Sequence, residues 1–136
     1  VRNPAGVGSD LGGNKLPQAP EWSSAVAAQY NLPVTSAGGE LVARLDWTYS
    51  DSYFTTEDNV SVAAPGSSIR WGEVESYSLV NGRLGFEAGG NWSVYLWGRN
   101  LLDEDYTFAW PSDFLGTVLE FPGDPRTYGV EFTWRL

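Results

Sequence analysis

Residues 41–54 read LVARLDWTYSDSYF, and their alternation decides the fold. Leu41, Ala43, Leu45, Trp47, Tyr49 and Tyr53 share one face. Arg44, Asp46, Thr48, Ser50 and Ser52 share the other. Successive side chains of a strand point to opposite sides, so the pattern predicts one long strand with an apolar and a polar face. Asp51 on the apolar face, and Val42 and Phe54 on the polar face, are its exceptions.

Four further segments alternate in the same way. They are residues 22–32, 76–88, 92–102 and 126–136. In the last, Tyr128, Val130, Phe132, Trp134 and Leu136 oppose Thr127, Gly129, Glu131, Thr133 and Arg135. In the fourth, Tyr95 and Trp97 sit on the face that should be polar and break the simple rule. The connections alternate in length. Residues 33–40 and 89–91 are short, whereas roughly twenty residues rich in Pro, Gly, Ser and acids follow the second and fourth strands, and these read as loops. In an antiparallel sheet this places every short turn on one rim and every long loop on the other.

The bulk composition removes several functions. The 136 residues include no His and no Cys, which excludes a Ser-His-Asp or Cys-His machine and a thiolate metal site. No enzyme activity and no cofactor are therefore expected. A net charge of −9 with only 8 basic residues excludes nucleic acid as a partner, because that binding rests on phosphate neutralisation. No Met occurs, the chain opens on Val1, and residues 1–20 lack the apolar core of a signal peptide. The expectation is that the natural N-terminus lies elsewhere.

A soluble sandwich alternates too, with its apolar face inward. Three features favour a membrane barrel. The strands are long, whereas globular strands centre on about five or six residues. Trp22 and Tyr30, Tyr49 and Tyr53, Trp92, Tyr128 and Trp134 fall toward the ends of apolar faces, where headgroup girdles sit. The opposite faces carry charges in mid-strand. The alternative is a soluble carbohydrate-binding β-sandwich, in which Trp47, Trp92 and Trp134 would be buried between sheets. The fold class expected is all-β: an antiparallel meander of about five long strands, part of a transmembrane β-barrel. Closure takes about eight strands at least, so these five would be one piece of a larger wall.

Three words then carry a resemblance. GNKLPQAPEW at 13–22, WGRNLLDEDY at 97–106 and FPGDPRTYGVEFTWRL at 121–136 resemble, in order and spacing, the late-strand segments of TonB-dependent outer-membrane receptors. The resemblance implies a plugged barrel of about 22 strands, of which residues 1–136 supply the last five. It implies the outer membrane of a Gram-negative bacterium and the uptake of a siderophore, cobalamin or saccharide. The implied partners are outer-membrane lipid, the remainder of the barrel, the plug domain and the barrel-assembly machinery. The TonB complex would be met only through an N-terminal part that this chain lacks. These barrels usually end in an aromatic residue. Leu136 stands there instead, which reads either as a variant or as a clipped end.

Two groups of residues are candidates for contact. With the last strand ending in the periplasm, residues 1–20, 55–75 and 103–125 are extracellular. Glu57, Asp58, Asn59, Arg70, Trp71, Trp110, Asp113 and Phe114 are then candidate ligand contacts, or else parts of solvated loops. Arg44, Asp46, Arg83, Glu87, Arg99, Glu131 and Arg135 are candidate lumen or plug contacts, with ion pairing along the wall as the favoured reading. The acids Asp103, Glu104 and Asp105 suit a turn better than a calcium loop. Asn100 and Arg126 are expected to fix where the strand leaves the membrane.

Overall fold

A computed structural model of the chain describes residues 11–63, 70–109 and 119–135, with backbone alone at 62–63 and 70–71. The chain divides into two compact units. One holds residues 23–50, 77–105 and 124–136; the other gathers the segments up to Trp22, Asp51–Ser76 and Tyr106–Gly123.

The first unit is a single sheet. Its strands are β1 (Ser23–Val34), β2 (Gly39–Ser50), β3 (Tyr77–Ala88), β4 (Trp92–Arg99) and β5 (Thr127–Trp134). Each pairs antiparallel with the next, so spatial order follows chain order. The all-β meander of five long strands is what the alternation predicts.

Several strand ends move. Reading β1 only to Leu32 treated Pro33 as a breaker; the structure carries the strand to Val34, with Pro33 opposite Glu40. Proline lacks a donor but takes an extended φ readily, and Pro33 stands one residue from the end of the strand, where the lost donor costs little. The first turn therefore shrinks from eight residues to a 3-10 turn at Thr35–Ala37 and Gly38, whose φ of 63° suits glycine. β2 ends at Ser50 rather than Phe54, because Tyr53–Phe54 pairs separately with Glu73–Val74. β4 ends at Arg99, before the left-handed Asn100. β5 starts at Thr127 and ends at Trp134, and Leu136 lies outside the described residues.

The register lines up the apolar side chains in rows. One row runs Tyr30, Ala43, Leu84, Leu96 and Val130; the next runs Leu32, Leu41, Phe86, Val94 and Phe132. These rows are not covered. Leu45, Leu84 and Leu96, on the three central strands, are 52%, 48% and 57% exposed. Leaving a leucine in water forfeits about 1.5–3 kcal/mol relative to burying it, so a water-facing sheet of this kind would be unstable. The sandwich alternative needs Trp47, Trp92 and Trp134 in a core; all three are exposed.

Aromatic rings bound the apolar face at both ends. At the short-turn end Trp92 stacks on Phe132, with centroids 6.4 Å apart, and meets Phe86 at 5.7 Å. At the other end Trp47 stacks on Tyr49 at 6.3 Å, and its indole N–H donates to Ser78 Oγ at 2.6 Å. From the Tyr49–Ser78 pair to the Ala88–Trp92 pair, β3 advances ten residues. That is about 33 Å along the strand. At the tilt of about 40° usual in outer-membrane barrels it becomes about 25 Å, the height of their apolar band.

The second unit corrects the reading of the long stretches as plain loops. Besides the Tyr53–Phe54 pair, Val62–Ala63 pairs with Arg70–Trp71, and Thr107–Ala109 with Phe121–Pro122. Val74 is fully buried in this unit. The Gln18 N–H donates to Phe54 O at 2.7 Å, and Tyr53 Oη donates to Phe108 O at 2.8 Å.

Candidate functional site

The polar face of the sheet is the site the strand pattern builds. Because β1–β4 are in register, Gln29, Arg44, Arg83 and Trp97 form one row, and Asn31, Val42, Gly85, Tyr95 and Glu131 the next. Apart from Gly85, these rows, with Asp46, Asn81, Glu87 and Arg99, line a concavity of about 610 Å³. Six of the seven expected lumen residues thus share one surface. Arg135 is the exception: it lines a separate small hollow with Glu87, Trp92 and Thr133, and its backbone N–H donates to Asn91 O at 2.8 Å.

The charges are largely spent on one another. The Arg44 guanidinium grips both carboxylate oxygens of Asp46, with Nη2 2.6 Å from Oδ1 and Nε 2.9 Å from Oδ2. Residues two apart on a strand share a face, so this pair is local. Arg83 reaches across to Glu131 at 3.7 Å and lies 3.5 Å from the centroid of Tyr95. The Tyr95 hydroxyl donates to Glu87 Oε1. Arg99 lies over Trp97 at 5.7 Å. Exposed ion pairs of this kind are worth about 0–1 kcal/mol each, and the cation–π contact about as much. The pairing therefore orders side chains along the wall more than it stabilises the fold.

Tyr95 and Trp97 have a reason to break the alternation. Each lies against a glycine directly opposite on the neighbouring strand. Tyr95 covers Gly85, and Trp97 covers Gly129, with its ring atoms 2.6–3.2 Å from where a Cβ would stand. Cross-strand aromatic cover of this type makes up for the packing a glycine lacks. Tyr95 is only 5% exposed in consequence. Gln29, Asn31, Asn81, Tyr95 and Trp97 were not singled out from sequence as lumen residues. The signal for the two aromatics was the glycine opposite each, which appears only once register is known.

Just past the end of β4, Asn100 is 4% exposed with φ +48°. Its Nδ2 donates to Glu104 O at 2.9 Å and Asp124 O at 3.1 Å, and its Oδ1 accepts from Glu104 N at 2.9 Å. Asp103, with φ +58°, pairs with Arg126 at 3.1 Å. The Asn-Leu-x-Asp word is thus a clamp between the end of β4 and the start of β5.

The outer candidates separate. Asn59, at φ +53°, accepts from Lys15 N at 2.6 Å and donates to Lys15 O at 3.0 Å, so it ties two segments together. The Glu57 carbonyl accepts from Asn14 Nδ2 at 2.9 Å, and Asp58 accepts from Thr56 Oγ1 at 2.5 Å. Lys15 meets Glu21 at 2.9 Å, and that carboxylate holds its ammonium above the usual lysine range. Arg70 and Trp71 contribute backbone to a short strand pair. Trp110, Asp113 and Phe114 lie outside the described residues. Among the described residues no cluster of three or more acidic side chains is placed to hold a metal.

No solved structure matches the chain. The family described as "TonB dependent receptor-like, beta-barrel" matches residues 2–101, which is most of the chain. A single antiparallel sheet with an uncovered apolar face, bounded by aromatics and backed by a polar wall, is what a piece of such a barrel requires, and the chain belongs to this family.

Proposed function

We propose that the five strands are the last five of an outer-membrane transport barrel, with the apolar face toward lipid and the polar face toward the lumen. The family is one of transporters, not enzymes. The observation that carries the reading is the exposure of Leu45, Leu84 and Leu96 on central strands, opposite a wall of paired charges. In this arrangement the short turns at Thr35–Gly38 and Gly89–Asn91 face the periplasm, and the long connections after β2 and β4 leave from the opposite rim. The cargo is a siderophore, cobalamin or saccharide. Glu57, Asp58, Arg70, Trp71, Trp110, Asp113 and Phe114 would meet it at the surface, and Arg44, Asp46, Arg83, Glu87, Arg99, Glu131 and Arg135 would border its path or the plug. The barrel-assembly machinery would insert the chain, and TonB would act through the plug.

Brominated lipid tests the orientation. In the full receptor reconstituted in bilayers, single-Trp variants keeping Trp47, Trp92 or Trp134 should be quenched by bromine in the acyl chains. A variant keeping Trp97 alone should not. Equal quenching of Trp97 and Trp134 would reject the assignment of faces.

A further inference from the structure

Two Asn-x-Ser sequences occur in the chain, Asn59-Val60-Ser61 and Asn91-Trp92-Ser93. With any residue but proline between them, an asparagine and a serine at this spacing form the acceptor for N-glycosylation, a modification of surface loops on exported proteins. The structure separates the two. Asn91 closes the tight turn between β3 and β4, with its N–H on Ala88 O at 3.1 Å, and its serine is already a strand residue opposite Glu87 and Thr133. Gly89 stands two residues before it. Asn59 lies in the long connection after β2, where Thr56, Glu57, Asp58 and Val60 are all exposed. Its N–H closes a reverse turn onto Thr56 O at 3.3 Å, and its φ of +53° is one that asparagine adopts more readily than most residues. Glu57, two residues before Asn59, adds a carboxylate that an arginine of a transferase can grip.

The Asn59 carboxamide can carry a sugar and still tie its loop. Oδ1 accepts from Lys15 N at 2.6 Å, and N-glycosylation leaves that oxygen unchanged. Nδ2 has two protons. It donates to Lys15 O at 3.0 Å and to Thr56 O at 3.3 Å. A sugar takes the place of one proton and leaves one donor, enough for the closer Lys15 oxygen. Both donors are in use once the Lys15 segment has docked, so transfer belongs before that docking.

We propose that Asn59, marked by Glu57 and Ser61, is an N-glycosylation site that receives an oligosaccharide from a polyprenyl-diphosphate donor. Nδ2 attacks C1 of the first sugar. The bond from C1 to the diphosphate oxygen breaks, the polyprenyl diphosphate leaves with that electron pair, and the displaced Nδ2 proton passes to a carboxylate of the transferase. The inference rests on the reading of the chain as part of an exported receptor. Trypsin separates the two sequences, since Leu45–Arg70 carries Asn59 and Leu84–Arg99 carries Asn91. In the full receptor purified from the outer membrane of the cells that make it, mass spectrometry should find Leu45–Arg70 heavier by an oligosaccharide on Asn59, and Leu84–Arg99 bare. Ser61→Ala should abolish the added mass, and Ser61→Thr should keep it. Glu57→Gln should lower occupancy severalfold, and it keeps the tie to Asn14, which runs through the Glu57 carbonyl. A bare Leu45–Arg70 in receptor recovered from the outer membrane would overturn the proposal. So would undiminished occupancy in Ser61→Ala or Glu57→Gln. A receptor absent from the outer membrane would overturn the reading of export and this proposal with it, so the two failures stay distinct.

Discussion

Replacing Gly85 with valine is expected to be among the most damaging single changes in the sheet, at about 3–5 kcal/mol. Gly85 stands directly opposite Tyr95, and a Cβ there would fall inside the Tyr95 ring and against the Val94 carbonyl. The ring has little room to retreat. Arg83 lies over it, Glu87 accepts a hydrogen bond from its hydroxyl, and it is buried. Either the two strands part or the ring leaves its seat, and losing a buried aromatic costs about 3–5 kcal/mol. Gly85→Ala, which adds a single methyl, should cost about 1–3 kcal/mol as ordinary overpacking. The urea midpoint of the full receptor in lipid vesicles, read with its heat-modifiable mobility on gels, measures both. The decisive step is the double-mutant cycle. On a Tyr95→Ala background, Gly85→Val should cost clearly less than it does beside the ring, because only the contact with the Val94 carbonyl remains. An undiminished penalty there would mean that the ring is not what Gly85 accommodates.

Asn100→Ala should cost about 4 kcal/mol, although the residue touches neither lipid nor any expected cargo. Two effects combine. The left-handed backbone at φ +48° costs a residue with a Cβ about 1–2 kcal/mol unless its side chain compensates, as asparagine can. The three amide bonds to Glu104 and Asp124 are lost, at about 1 kcal/mol each for buried partners. Asn100→Gly separates the two, since it removes the bonds but relieves the backbone, and it should recover about 1–2 kcal/mol of the loss. Arg126→Ala is the comparison. It breaks an exposed ion pair to Asp103, so its cost should stay below about 1 kcal/mol. If the arginine change proved the costlier, the clamp would have to be re-centred on the charge pair.

The faces of the strands were legible because, among the described residues, no second layer packs on Leu41, Leu45 or Leu84, so the period of two persists along the strand. Strand ends were less legible. Pro33 signals a stop but costs only a donor, and Tyr53–Phe54 continues the alternation while pairing elsewhere. The two-residue strands of the outer segments are too short to show a period at all. The Arg44–Asp46 pair follows from parity alone, since both residues lie on one strand. The Arg83–Glu131 pair needs the register of three strands, and the seats of Tyr95 and Trp97 need the glycines opposite them. Asn59 was read as a surface contact because its partner, the Lys15 backbone, is far away in sequence.

The two-faced strands also limit how a gene of this kind can change in length. Adding one residue within β3 would turn every side chain beyond it to the wrong face, with Arg83 on the apolar side and Leu84 on the polar side. Adding two restores the faces and only shifts the aromatic belt along. The outer segments carry no such parity, and their short pairs and side-chain ties can be rebuilt around insertions of any size. Descendants of this sequence are therefore expected to vary freely in length between Ser50 and Tyr77 and, inside the Asn100 clamp, between Asp105 and Asp124. In the wall itself, indels should survive mainly in even numbers.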